Sequence, residues 1–325
     1  MSNHTRSSRR LLLLLLVPLL IPSGACNRQD RKQIAVIPKG RAHLFWQSVH
    51  AGANKAAQEY NVDIIWNGPA TETDFNGQLQ IVDAMINRHV DAIALAPIDK
   101  TAMVGVVDRA ARQKIPVIIF DSGVDTDSYV SQVATDNYAA GQLAADRMGK
   151  VLNGKGKVAI VAVQVGAAST MAREKGFEDR IKSAYPGIQI VDKRYGEADF
   201  AKSLRAAENL LTGYPDLAGL FASNESSAVG AAQAVKSRGS KVKLVGFDSG
   251  PTLEADLKAG VIDSLVVQHP FQMGYESVVS AVKAIKGEAV AKKNDLAPRL
   301  VTREDLDKPE VQAQLNPDLK KYLER

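Results

Sequence analysis

Val117-Ile118-Ile119-Phe120-Asp121-Ser122-Gly123 and Leu244-Val245-Gly246-Phe247-Asp248-Ser249-Gly250 end in the same tetrapeptide behind an apolar run, at an offset of 127 residues. A short apolar run closed by turn-forming residues is the pattern of a buried strand reaching a loop. Two further strand positions recur at almost the same spacing, Ile34 to Val158 at 124 and Leu95 to Phe221 at 126. A near-constant offset means one series of elements used twice, and therefore two lobes of one topology.

The runs 34–37, 62–66, 92–95 and 117–120, with a shorter one at 129–133, are predicted as strands of the first lobe. Segments 48–60, 74–88 and 101–113 carry alanine and aliphatic residues at spacings of three and four and predict the helices between them. The second series has strands at 158–163, 188–191, 219–222, 244–247 and 264–267, with helices at 173–184, 201–212, 226–237 and 251–258. Gly213, Gly239 and Gly260 follow three of these helices as stop signals. Strands alternating with crossover helices predict an α/β fold, two Rossmann-like lobes with parallel sheets. The chain is expected to cross between lobes at 135–137. The last stretch, 297–325, holds Pro298, Pro309 and Pro317 and many charges, and reads as a final crossing and a solvated tail.

With 325 residues, 45% of them hydrophobic, the chain has enough apolar surface for two such cores. Arg6, Arg9 and Arg10 lie in the first 26 residues, which hold no acid, so only +2 of the formal +5 belongs to the remainder, and nucleic acid is not an expected partner. These arginines lead into an apolar run at 11–21, too short for an ordinary membrane span, so 1–26 reads as an export signal. Cys26 is the only cysteine, which excludes an internal disulfide. Gly24 and Ala25 before it resemble the lipobox of bacterial lipoproteins, whose cysteine is lipidated, while Ser23 stands where that pattern has an aliphatic residue. Ordinary signal cleavage with an incidental cysteine is the alternative.

In an open parallel sheet, ligands bind beyond the carboxyl ends of the strands. Lys39, His43, Phe45 and Trp46 follow the first strand, and Asp121 and Ser122 the fourth. In the second series Gln164 and Arg173 follow the first strand, Phe200 the second, Asn224 and Glu225 the third, Phe247 and Asp248 the fourth, and Gln268 the fifth. Carboxylates, a guanidinium and amides match a rim of hydroxyls, and aromatic faces match the C–H faces of a ring. A small polyol, above all a sugar, is the expected ligand. The plainer reading of Asp121 and Asp248 is capping of the helices or turns that follow them. That of Arg173 is a solvated cation in a first helical turn. His50, His89 and His269 show no metal-ligand spacing, so neither a metal nor another cofactor is expected.

Ile34-Ala35-Val36-Ile37 leading to Phe45-Trp46, Ala134-Thr135-Asp136-Asn137, Arg173-Glu174 before Gly176-Phe177, and Val245-Gly246-Phe247-Asp248 together resemble the ribose-binding family of type I periplasmic binding proteins. The resemblance spans about Gln33 to Val301. It implies a three-segment hinge, with lobes at 33–135 plus 269–293 and at 136–268 plus 294–303, and a charged tail at 304–325. It also implies sugar contacts at His43, Phe45, Trp46, Asp121, Thr135, Arg173, Phe200, Asn224, Phe247, Asp248 and Gln268, to which the reading of the residues adds Lys39. Lys39, Ala96 and Ser122 depart from the ribose pattern, which has there a small hydroxyl residue, an amide and an arginine. These departures suggest another hydroxyl pattern or an acidic sugar. The implied function is capture of a sugar outside the cytoplasm by a monomer that closes on its hinge, without chemistry, and delivery to the permease of an ABC importer. A chemoreceptor or sensor kinase is the alternative partner, and a glycoside-processing carboxylate pair is the alternative from another class.

Overall fold

Along β1 (Gln33–Ile37), Ile34 and Val36 enter one apolar cluster and Ala35 and Ile37 another. Alternation of this kind requires cover on both faces, which the crossover helices provide. The computed structural model describes residues 1, 2 and 31–324. The expected signal and the lipidation at Cys26 lie outside the described residues. Residues from Arg31 onward form one compact unit.

The first lobe runs β1, α1 (Leu44–Tyr60), β2 (Asp63–Trp66), α2 (Phe75–Asn87), β3 (Ala92–Leu95), α3 (Val104–Arg112), β4 (Val117–Phe120) and β5 (Ser131–Thr135). The chain then enters the second lobe through α4 (Asn137–Val151), followed by β6 (Lys155–Ala162), α5 (Ala168–Ala184), β7 (Gly187–Tyr195) and α6 (Phe200–Gly213). This lobe continues with β8 (Leu217–Ala222), α7 (Glu225–Ser237), β9 (Lys243–Phe247), α8 (Pro251–Lys258) and β10 (Ser264–Val267). After β10 come α9 (Pro270–Ile285), β11 (Lys293–Leu296), β12 (Arg299–Thr302), α10 (Pro309–Leu315) and α11 (Lys320–Leu323).

Two six-stranded sheets result, ordered β11-β5-β4-β3-β1-β2 and β12-β10-β9-β8-β6-β7. Position for position the two orders are the same, as the repeat predicts. They differ at one edge, where β11 runs parallel to β5 and β12 antiparallel to β10.

The likeness extends to the helix pairs. In the first lobe a Cβ on Gly52 would stand 1.9 Å from the Phe271 carbonyl oxygen, and one on Gly274 would stand 2.0 Å from that of Val49. In the second lobe Gly141 and Gly176 approach the carbonyls of Arg173 and Tyr138 equally closely. Only glycine permits these helices to touch backbone to backbone, and this contact fixes α1 and α5, two of the helices that present side chains to the cleft.

Two expectations are corrected. The lobe boundary drawn at 293/294 moves to 297–298, where the last stretch begins, because β11 is still paired with β5 in the first sheet. Residues 304–324 are not a solvated tail: Val311 and Leu315 are buried in the apolar cluster of the second lobe. Beyond them the Tyr322 ring lies 5.7 Å from that of Phe271.

Candidate functional site

The β1 strand ends at Ile37, and the loop to α1 carries Lys39 and His43 into the cleft, both buried. His43 is the N-cap residue of α1, yet its side chain caps nothing. Its Nδ1 lies 2.8 Å from Glu72 Oε1 and its Nε2 lies 3.1 Å from the Ala198 carbonyl oxygen. Both partners accept only, so both ring nitrogens donate and the ring is an imidazolium. Burial opposes that charge, but the hydrogen bond and charge of Glu72, with Glu225 and Asp248 behind it, raise His43 to about 9. Glu72 is lowered to about 2: burial favours the neutral acid and is outweighed by the His43 hydrogen bond and charge, with help from Lys39 and Trp46. Trp46 Nε1 also donates to Glu72 Oε1, at 2.8 Å. The Trp46 ring meets Phe45 edge to face at 4.8 Å and Phe120 at 6.3 Å, so one face of the indole is core and its edge is site.

Asp121 leaves β4 with φ at 59°, and its Oδ2 lies 2.7 Å from Lys39 Nζ. Lys39 also donates to Ser169 Oγ at 2.9 Å. The ammonium thus supplies beside Asp121 the cation that Ser122 lacks. Ser122 Oγ instead accepts from the Ser169 amide at 3.1 Å, across the cleft.

In the second lobe, α5 begins at Ala168, which puts Arg173 in its second turn, buried rather than solvated. Its Nε donates to Asn137 Oδ1 at 2.8 Å and its Nη1 to the Ser223 carbonyl at 3.0 Å. The guanidinium lies 3.9 Å from the centre of the Phe247 ring, a cation–π contact. Burial lowers the pKa of Arg173, against the charges of Asp248 and Asp121. Asp248 accepts from the Glu225 amide at 2.8 Å and from Gln268 Nε2 at 2.6 Å. Burial raises its pKa, against the charge of Arg173. Gln268 Oε1 accepts in turn from Thr135 Oγ1 at 2.7 Å, joining two of the crossings.

One cavity collects these groups: Lys39, His43, Phe45, Trp46 and Asp121 from the first lobe, and Arg173, Asn224, Asp248 and Gln268 from the second lobe and its hinge. Three of the predicted residues do not line it. Phe247 is fully buried beneath Arg173, Thr135 holds Gln268, and Phe200 meets the His43 ring edge to face at 5.3 Å. Glu225, named above at the end of the third strand of the second series, lines the cavity as well, and so do Glu72, Ser169 and Thr170, which were not among the expected residues. Glu72 lies in a polar loop, Thr-Glu-Thr-Asp, six residues beyond β2, where nothing local separates it from surface. Ser169 and Thr170 open a helix whose start the periodicity placed later.

A family model described as a periplasmic binding protein domain matches residues 34–289. The chain belongs to this family. It is 29% identical over 301 residues to the ribose import binding protein of Salmonella typhimurium, covering 91% of this chain and 99% of that one. It is 30% identical over 285 residues to the D-allose-binding periplasmic protein of Escherichia coli, covering 85% and 90%. Among solved structures, a carbohydrate transporter solute-binding protein of Agrobacterium radiobacter in complex with D-arabinose superposes with a TM-score of 0.86 at 35% identity, over 88% of this chain and 99% of that one. An ABC transporter solute-binding protein of Agrobacterium vitis with bound D-fucose gives 0.85 at 37%, over 87% and 99%. Membership carries an extracytoplasmic location with it.

As a periplasmic binding protein the molecule is in its closed form. Besides the contacts already given, Gln164 Nε2 donates to the Glu72 carbonyl at 2.8 Å and the Lys100 amide to the Gly166 carbonyl at 2.9 Å, each from one lobe to the other. Gly166 has φ at +94°, and a Cβ there would stand 2.0 Å from Asp99 Oδ2. The cavity between the lobes is about 30 Å³. A water needs roughly 10–15 Å³ on this measure, so the space suits one or two waters. A ring-sized ligand enters only when the lobes part.

Proposed function

We propose that the chain captures a neutral monosaccharide or a closely related polyol between its lobes, closes on it by hinge bending, and presents the closed form to the permease of an ABC importer, releasing the ligand unchanged. The observation that carries this reading is the convergence of Asp121, Arg173 and Asp248, drawn from both lobes, on one cavity edged by Phe45 and Trp46. Carboxylates accept from neighbouring hydroxyls, the guanidinium and amides donate, and aromatic edges cover C–H faces. The sugars named for the relatives, D-allose, D-arabinose and D-fucose, are neutral polyols of this kind.

Charge balance narrows the class. Four carboxylates, those of Glu72, Asp121, Glu225 and Asp248, line the cavity with three cations, Lys39, His43 and Arg173. A further anion would enter a site already short of positive charge, so the reading favours a neutral ligand over a sugar acid. The Lys39–Asp121 pair supports a hydroxyl pattern other than that of ribose, since the ammonium fills space beside the first aspartate.

A thermal-shift screen over pentoses, hexoses, inositols and sugar acids tests the proposal. A ligand at 100 times its Kd adds about 2.7 kcal/mol. At least one neutral sugar should raise Tm and the acids should not, and a screen in which only sugar acids stabilise would refute the charge argument. Lipid anchoring through Cys26 is part of the proposal, and mass spectrometry of the mature N-terminus decides it.

A further inference from the structure

Helix α1 begins without a local cap. The His43 side chain, at the N-cap position, is turned to Glu72 and Ala198, and no acidic residue lies in the first turn of the helix. A helix start leaves several N–H groups without partners, and a carboxylate is the acceptor best suited to them. Here the acceptor comes from the other lobe. Glu225 Oε1 accepts from the Leu44 amide at 3.2 Å and Oε2 from the Phe45 amide at 3.1 Å.

Glu225 is itself held in place. It is the first residue of α7, whose N-cap Asn224 accepts from the Ser227 amide at 2.9 Å, and its own amide donates to Asp248 Oδ2. It is buried, and with the lobes apart both its carboxylate and the start of α1 would face water.

We propose that Glu225 is a closure latch: carried by the second lobe, it caps helix α1 of the first, so that capping this helix and shutting the cleft are one event. The inference rests on the reading of the cleft as a sugar site and assigns Glu225 a role apart from sugar selection. A residue that touches sugar discriminates among hydroxyl patterns, whereas a latch contributes the same increment to every ligand that closes the protein.

The experiment titrates wild type, Glu225→Gln and Glu225→Ala with three stabilising sugars from the screen that differ in one hydroxyl configuration, and follows amide hydrogen exchange of each protein with and without sugar. Loss of a helix cap corresponds to about tenfold in an equilibrium constant. Glu225→Ala should weaken all three sugars by about that common factor. Glu225→Gln, which keeps acceptor oxygen at one position, should fall between. Leu44 and Phe45 amides should lose protection in the sugar-saturated Ala variant while the middle of α1 keeps its own. A loss that differs more than threefold between sugars makes Glu225 a ligand contact and overturns the latch, as does unchanged affinity. If no sugar binds wild type, the sugar reading fails, and the latch is then decided by exchange alone: equal protection of the two amides in wild type and Glu225→Ala overturns it.

Discussion

Asp121 and Asp248 hold the same backbone conformation at the same point of the two sheets, with φ at 59° and 71°. Each donates its amide to the next strand, Asp121 to the Val133 carbonyl at 3.0 Å and Asp248 to that of Val266 at 2.9 Å. Neither aspartate caps a helix after it: the N-cap of α8 is Gly250, without a side-chain bond, and no helix starts directly behind Asp121. The left-handed turn directs both carboxylates to the cleft, and aspartate and asparagine are among the few side chains that tolerate it.

Replacing either aspartate therefore separates backbone from ligand. Asp121→Asn and Asp248→Asn keep a residue suited to this conformation, whereas alanine adds a penalty of about 1 kcal/mol. In each pair the alanine variant should unfold at lower denaturant by that difference. All four should lose the sugar-induced rise in Tm. Equal stability of Asn and Ala variants would remove the strain argument, and a retained rise would remove the aspartates from the site.

Arg173 tests the second lobe. Lysine can keep a cation over Phe247 but cannot donate to both Asn137 and the Ser223 carbonyl in the fixed geometry of a guanidinium. Leaving one of those buried acceptors without a donor costs about 1–3 kcal/mol. Arg173→Lys should lower unfolding free energy by that amount and weaken sugar binding at least tenfold by calorimetry, with Arg173→Ala worse on both counts. Wild-type affinity in Arg173→Lys would mean that charge alone is read there.

What was legible in the chain follows from how each element is stabilised. Strands such as 92–95 and 117–120 are buried on both faces, so their apolar runs are unmistakable, and the repeat of Phe-Asp-Ser-Gly exposed the doubled topology. Helices α4 and α9 were not picked out. Helix α4 packs through glycine and alanine against α5, which leaves no strong apolar stripe, whereas α9 carries one in Met273, Val278, Val279 and Val282 and was legible in the sequence. Residues at strand ends could be named from topology alone. Glu72 could not, because its function comes from His43 and Trp46, which only the fold brings to it.

The His43–Glu72 pair gives a pH signature with a defined sign. His43 is raised to about 9 from an ordinary 6.5, so its contribution is full below 6.5 and fades as pH rises through 9. Glu72 is lowered to about 2 from 4.5, so its contribution is full above 4.5 and is lost as pH falls toward 2. The pair is at full strength only between these limits. Glu72→Gln should lower Tm most between pH 4.5 and 6.5 and progressively less up to pH 9, measured as the difference from wild type in the same buffers. A difference independent of pH from 6 to 9 would show that His43 is neutral in the folded protein.

The C-terminal segment connects two parts of the molecule that the hinge already joins. Val311 and Leu315 complete the apolar cluster of the second lobe, Gln314 Nε2 donates to the Gln268 carbonyl at 2.9 Å, and Asn54 Nδ2 of α1 donates to the Tyr322 carbonyl at 2.9 Å. Removing residues 309–325 exposes the surface that two aliphatic side chains cover, worth about 1.5–3 kcal/mol each when fully buried. It also frees Gln268, which holds Asp248. Truncation after Lys308 should therefore lower unfolding free energy by about 3–5 kcal/mol and weaken sugar binding. Tyr322→Ala, which touches only the first-lobe end of the segment, should change stability by about 1 kcal/mol or less and leave affinity intact. If the truncated protein melts and binds as wild type does, the segment is an ornament on the surface and the packing of Val311 and Leu315 contributes nothing in solution.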